Sequence, residues 1–292
     1  MIIKKVGIIG QGFVGTALKE AFLPHYETLT YDKFRDDLST HSSIAGVSRE
    51  CDAIFVCVPT PMSPDGSCDT SIVDTVCEEI SSSAGRFCSG ITHPTWEGID
   101  FSATERIIVI KSTVPPSFTQ QKNHSSEGEF VFNPEFLMER SATEDFKNTN
   151  RVILGGSQRA TSVLKQFYLK VFPDADITET DPTTAEFVKY ITNSFLAAKV
   201  SIANEFSLLC SAFGVDYNEV IEYATLDERL GRSHWAVGSS SPDGKLGFGG
   251  TCFPKDLNAI IAVAESLSLS MDTLKGAWET NLRVRPEKDW EQ

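Results

Sequence analysis

The stretch Lys5-Val6-Gly7-Ile8-Ile9-Gly10-Gln11-Gly12-Phe13-Val14-Gly15 decides the fold. Lys5 to Ile9 is a short apolar run rich in β-branched residues and reads as a buried strand. It runs into a G-x-G-x-x-G turn, after which Thr16 to Phe22 has helical character. In such a turn the first glycine makes the tight bend, the second lets a pyrophosphate approach, and the third packs helix on strand. The helix N-terminus then offers free N–H groups and a favourable dipole to the phosphates. Gly10, Gly12, Phe13, Val14 and Gly15 are therefore candidate cofactor-binding residues. A glycine turn alone is a weak signal, so its surroundings carry the weight.

Thr28 to Tyr31 reads as the second strand, and Asp32 stands at its end, about 20 residues beyond the glycines. An acid there hydrogen-bonds adenosine ribose hydroxyls and repels a 2′-phosphate, which favours NAD over NADP, although Lys33 beside it weakens the exclusion. The plainer alternative for Asp32 is a loop-capping carboxylate. Cys51 to Val58 and Arg106 to Lys111 read as further strands, ending in Pro59-Thr60-Pro61 and Ser112-Thr113-Val114-Pro115-Pro116. Ligands of doubly wound folds bind along the carboxyl edge of the sheet, which adds Val58, Pro59, Thr60, Ser112 and Thr113 to the cofactor candidates; ordinary strand-ending turns are the alternative. Phe130 to Asn133, Arg151 to Gly155, a helix from Gln158 to Val171 and Asp176 to Glu179 continue the alternation. The expected fold class is α/β: a doubly wound, mostly parallel, Rossmann-like domain over residues 1–182. Ser81 to Ser102, with Trp96 in its middle, reads as a long loop suited to a lid, a partner surface or an insertion.

A chain of 292 residues suggests two domains. Its formal net charge of −14 argues against a nucleic-acid partner and leaves room only for a local basic pocket. No uninterrupted apolar run approaches the length of about 20 residues that spans a bilayer. Lys4 and Lys5 precede too short an apolar stretch for a targeting signal. Cys51, Cys57, Cys68, Cys77, Cys88, Cys210 and Cys252 are odd in number, with no C-x-x-C pair. That predicts no metal site and a reduced, cytoplasmic protein.

From about Thr184 to Phe213 the chain holds no glycine or proline and predicts one helix of roughly 40 Å. Such a rod suits a link between domains or pairing with a second subunit. Lys189 and Asn193, four residues apart, share a face of it, as an exposed polar stripe or as site residues. Leu257 to Ser266 and Asp272 to Leu282 are also helical, and Arg283 to Gln292 with Trp290 reads as the start of a linker. Residues 183–292 therefore form an all-helical second domain. Within it, Gly247-Phe248-Gly249-Gly250-Thr251-Cys252-Phe253-Pro254-Lys255-Asp256 sets a cysteine after a glycine cluster, with a lysine and an aspartate close behind. A thiol so flanked is tuned toward a nucleophilic thiolate; a buried structural thiol is the alternative.

That loop resembles the active-site loop of the UDP-glucose/GDP-mannose dehydrogenase family. Asn133-Pro134-Glu135-Phe136-Leu137-Met138-Glu139-Arg140-Ser141-Ala142 resembles the family's N-P-E-F-L-x-E-G-x-A, with Arg140-Ser141 departing from it. Lys189-Tyr190-Ile191-Thr192-Asn193-Ser194-Phe195 resembles its central-helix motif, and Asp227-Glu228-Arg229-Leu230-Gly231 its D-x-R-I-G. With the glycine turn, Val58-Pro59-Thr60-Pro61 and Ser112-Thr113-Val114-Pro115, these motifs follow the family order from Gly10 to Asp256.

The resemblance implies oxidation of a nucleotide-sugar C6 alcohol to the carboxylate with two NAD and no released aldehyde. Cys252 is then the nucleophile, through a thiohemiacetal and a thioester. Lys189, Asn193 and a water near Thr113 and Asp256 share alcohol deprotonation and charge stabilisation. Glu135 and Asp256 both stand as candidate bases for hydrolysis. Glu139 and Lys255 lie toward the cofactor, and Glu139, Phe136, Leu137, Phe248, Gly249 and Gly250 toward the substrate, while Arg229 reaches a neighbouring subunit's site in a homodimer. Family members continue into another α/β domain, so a short form is expected, and the sugar's identity stays open. Two other readings remain: a two-electron hydroxyacid-type dehydrogenase, which has no use for Cys252, and a non-catalytic NAD-binding protein, which does not require the Cys252, Lys189 and Asn193 set.

Overall fold

Val6, Ile8 and Ile9 are buried within β1 (Lys5–Ile9), as a run of apolar residues flanked on both sides by other strands must be. The computed structural model describes residues 1–83, 106–126 and 128–291. The expected long loop, from residue 84 on, lies outside the described residues, with Cys88 and Trp96.

The glycine turn leads from β1 into α1 (Phe13–Phe22), which starts earlier than its helical pattern suggested because Gly12 takes the N-cap position. There follow β2 (Glu27–Tyr31), α2 (Ile44–Glu50), β3 (Ala53–Val56), α3 (Ser71–Ser82), β4 (Ile107–Ile110), α4 (Phe118–Ser125), β5 (Glu129–Phe132), α5 (Ala142–Lys147), β6 (Arg151–Gly155), α6 (Gln158–Val171) and β7 (Asp176–Thr180). The sheet order is β2-β1-β3-β4-β5-β6-β7. Every pairing is parallel except β5 with β6, which is antiparallel at Phe132 and Gly155. The chain reverses direction across the sheet at β1, so the glycine turn sits at the topological switch point, where doubly wound folds bind ligands. Adjoining strand ends are tied beyond the strands themselves: Cys57 N donates to Ile9 O at 2.8 Å, Lys111 N to Val56 O at 2.9 Å and Asn133 N to Ile110 O at 2.9 Å.

Alternation along the strands fills both faces of this sheet. Phe55 joins Phe22, Phe146, Phe167 and Tyr168 on one face, with the Phe22 and Phe55 ring centroids 5.0 Å apart. Ile54 and Val56 join Val73, Ile80, Phe130 and Phe132 on the other.

The helices α7 (Pro182–Phe213), α8 (Tyr217–Ala224), α9 (Phe253–Ser266) and α10 (Asp272–Val284) complete the chain. Two compact units result: Met1–Thr60 with Thr70–Lys189, and Pro61–Asp69 with Tyr190–Gln292. The second has its own core of Ala197, Val200, Phe248, Leu257 and Ile261, against which Phe253 and Trp278 pack.

Helix α7 is long and apolar enough to cross a membrane by length and composition, which uninterrupted apolar runs did not reveal. It nevertheless buries Glu186, Lys189, Asn193, Lys199 and Asn204 against protein. The C-terminal residues depart from expectation as well. Instead of opening a linker, α10 runs on to Val284, and Arg285 is only 1% exposed. Its guanidinium meets Asp243 at 2.7 Å and Asp289 at 2.5 Å, and Trp290 lies against Trp278 with ring centroids 5.2 Å apart. The six described cysteines are free thiols.

Candidate active site

In the first unit the loop after β5 brings Glu135 to Lys189, the last residue of α7 counted with that unit. The Lys189 ammonium donates to the Glu135 carbonyl at 2.6 Å and to its Oε1 at 2.9 Å, while Leu137 N donates to Oε2 at 2.7 Å. Both side chains are buried, and Phe136 covers them, its ring 5.5 Å from Lys189 Nζ and 4.3 Å from the Arg151 guanidinium. Ser112 and Thr113 are buried at the end of β4, where the Ser112 hydroxyl donates to Val58 O at 2.6 Å.

Lys111 precedes them and is 3% exposed, with no carboxylate among its hydrogen-bond acceptors. Burial pulls its ammonium down to about 8. Sequence reasoning passed over this residue; a lysine closing the apolar run Ile107-Ile108-Val109-Ile110 was the signal available.

The second unit places Cys252 at the N-cap of α9. One turn on, Asp256 is 1% exposed and both its oxygens are taken. Asn193 Nδ2 donates to Oδ2 at 2.6 Å, and the Lys255 ammonium holds Oδ1. Burial works against the charge of Lys255, but Asp256, Cys68 and Cys252 outweigh it and raise its affinity for the proton. The glycine run before the cysteine is braced by two buried amides. Asn204 Oδ1 accepts from Gly247 N at 3.0 Å, and Asn281 exchanges bonds with Phe248 N and O at 2.7 and 3.0 Å. A side chain at Gly249 would collide with the Arg285 guanidinium and Asp289, whereas Gly250, at φ +70°, faces open space. Asn204, Asn281 and Arg285 escaped sequence reasoning because their importance lies in partners far along the chain.

Three candidates stand apart from these clusters. Glu139 is exposed in a 3₁₀ turn, Glu139–Ser141. Lys33 is exposed near Phe34, and the Arg229 side chain, 89% exposed, is folded back on Asp227.

The glycine turn fits a dinucleotide. Gly10 adopts φ +95°, and a Cβ there would meet Cys57 O at 2.7 Å; a Cβ on Gly15 would strike the Gly10 carbonyl. Gly12 has nothing near its missing Cβ, which leaves space for a pyrophosphate over the first turn of α1, a turn without acidic residues. Asp32 Oδ2 accepts from Gln11 N at 2.6 Å and Oδ1 from Phe34 N at 2.8 Å. Its carboxylate is thus both a loop cap and fixed against the glycine turn.

Fold, switch point and glycine turn together define a dinucleotide-binding protein of the doubly wound class. Residues 18–172 match the NAD binding domain, and residues 183–283 the central domain, of the UDP-glucose/GDP-mannose dehydrogenase family; the chain belongs to that family. NAD is accordingly the cofactor of the first unit. The chain is similar to the UDP-glucose 6-dehydrogenase TuaD of Bacillus subtilis, at 29% identity over 97% of this chain and 64% of the relative. It is similar to the UDP-glucose 6-dehydrogenase of Rickettsia bellii, at 32% identity over 92% of this chain and 59% of the relative. It thus spans 59% to 64% of the length of these two curated relatives. Among solved structures, a UDP-glucose dehydrogenase from Pyrobaculum islandicum aligns with a TM-score of 0.81 and 31% identity, over 96% of this chain and 68% of that one.

Proposed function

We propose that the protein is an NAD-dependent nucleotide-sugar 6-dehydrogenase that oxidises a C6 alcohol to the uronate by four electrons. The observation that carries this reading is a buried, hydrogen-bonded pair in each unit, Lys189 with Glu135 in the first and Asn193 with Asp256 in the second. Burying ionisable groups is costly and adds little to stability that apolar residues would not, so such sets mark working sites.

NAD, when bound, supplies the hydride acceptor for each of the two oxidations. The alcohol first loses a hydride from C6 and gives its hydroxyl proton to a water, leaving an aldehyde. Lys189 and Asn193 stabilise the negative charge that develops on oxygen. The Cys252 thiolate adds to the aldehyde carbon and the oxygen takes a proton, giving a thiohemiacetal. Loss of a second hydride and that proton gives the thioester. Water, deprotonated by Glu135 or Asp256, then releases the carboxylate and returns the thiol. Covalent capture divides a difficult oxidation and retains the aldehyde.

The working form in this reading is a cytoplasmic homodimer, consistent with the free thiols. Ile191, Phe195, Ile202, Phe206, Leu209 and Phe213 give α7 an exposed apolar stripe suited to a second copy, and Arg229 serves the neighbour's site.

The test is NADH formed per sugar by the purified chain with UDP-glucose or GDP-mannose, beside Cys252→Ser. Two NADH, with the variant stalled, support the reading. One NADH, unchanged in the variant, means a two-electron dehydrogenase; none, with NAD bound, means a different substrate or a protein that only binds. Sedimentation as a monomer at micromolar concentration defeats the dimer and the trans role of Arg229 together.

A further inference from the structure

We propose that Lys111 is a positioning residue for Glu135, acting through the Asn133–Pro134 segment; this rests on the role given to Glu135 above. Lys111 Nζ donates to Asn133 Oδ1 at 3.0 Å and to the Pro134 carbonyl at 3.4 Å. The next carbonyl, that of Glu135, is held by Lys189. Successive peptide oxygens before and at the carboxylate residue are thus each held by a buried lysine, one just after β4 and one from α7. Asn133 is fixed from two more directions. The Tyr168 hydroxyl donates to its Oδ1 at 2.6 Å, and its Nδ2 donates to Ile153 O at 2.8 Å.

Backbone packing does not require this arrangement. β4 is wholly apolar, and a methionine after it would continue that run without the cost of desolvating an ammonium that has only neutral acceptors. What the lysine adds is a positive charge and a directed bond beneath the loop that presents Glu135. Cys57, Glu135 and Lys189 act on that charge. Tyr168, Asp145 and Arg151 line an adjoining cavity of about 220 Å³. That cavity, which Lys111 itself lines, gives a longer side chain room.

The test uses the full chain and the variants Lys111→Met, Lys111→Arg and Tyr168→Phe. Its first readout is hydrogen exchange at the Leu137 amide, which donates to the Glu135 carboxylate, with the Asn133 amide in the sheet ladder as control. Lys111→Met is expected to speed Leu137 exchange by about tenfold and leave Asn133 unchanged, with Lys111→Arg close to wild type. Its second readout is turnover. The expected result is a kcat loss of about 10²-fold with both KM values nearly constant, recovered in the arginine variant. Should Lys111→Met fail to fold, Tyr168→Phe removes one hydroxyl from the same network and is expected to loosen Leu137 by a smaller factor in the same direction.

Leu137 protected as in wild type, or Leu137 and Asn133 loosened equally, overturns the proposal. The exchange readout needs no substrate. If the wild-type chain makes no NADH, the dehydrogenase reading falls while the positioning of Glu135 is still decided.

Discussion

Asn193 of α7 and Asp256 of α9 share a 2.6 Å hydrogen bond between two buried side chains. Asn193→Ala leaves Asp256 Oδ2 without its donor and is expected to cost about 1–3 kcal/mol in urea denaturation. Asn193→Asp sets one carboxylate against another and should cost more at neutral pH, with the excess shrinking in acid as one of the pair takes up a proton. Equal stability of the two variants from pH 5 to pH 8 would show that this bond does not organise the site.

The Lys189–Glu135 pair makes a different prediction because both partners are charged and nearly solvent-free. Lys189→Met strands the Glu135 carboxylate and should destabilise the chain by about 3–5 kcal/mol. Lys189→Met combined with Glu135→Leu removes both charges and is expected to recover most of that loss while leaving no activity. Thermal denaturation with NADH assays on the wild type and the two variants separates stability from chemistry. A double variant no more stable than Lys189→Met would mean that the lysine stabilises through something other than its acid.

Much of this architecture was legible because it is written in local patterns. Gln158–Val171 is helical over the span its pattern indicated, and β6 runs from Arg151 to Gly155 as read. The start of α9 was misplaced because Pro254 reads as a breaker, yet in the first turn its missing N–H costs nothing. The charged tail from Arg283 looked like a linker because nothing local shows that Arg285 is buried; its partners Leu246 and Asp243 lie 39 and 42 residues away. Lys189 and Glu135 were each singled out, but their bond joins residues 54 positions apart, and no periodicity reports that. Lys111 was hidden for the same reason.

Glu186 gives a pH dependence. Burial pushes its carboxyl from the ordinary 4.5 up to about 7, although the amides of Thr119 and Ser117 donate to it. Between those values the folded chain keeps a proton that the unfolded chain releases. The stability this group contributes is therefore complete below 4.5 and is lost as pH rises through about 7. Relative to Glu186→Gln, which cannot ionise, the wild type should lose on the order of 1–3 kcal/mol between pH 5 and pH 8. Parallel stability curves for the two proteins would refute the assignment.

Arg285 supports the cysteine loop from beneath. Its guanidinium donates to Leu246 O at 3.1 Å and bonds Asp243 and Asp289, so it clamps the turn before Gly247 to the end of the chain. Arg285→Met keeps the bulk of the side chain and loses every one of those bonds. It is expected to destabilise the chain by about 1–3 kcal/mol and to speed alkylation of Cys252 several-fold. Ending the chain after Val284 removes Arg285, Asp289 and the Trp290–Trp278 contact together, and should speed alkylation at least as much while costing more stability. Arg285 also holds the Asp289 carboxyl below its ordinary range. That stabilisation is present at neutral pH and disappears as pH falls through the lowered value, so the gap between wild type and Arg285→Met should narrow in acid. If Cys252 reacts at the wild-type rate in both altered chains, the clamp holds the C-terminus but does not shape the loop that carries the thiol.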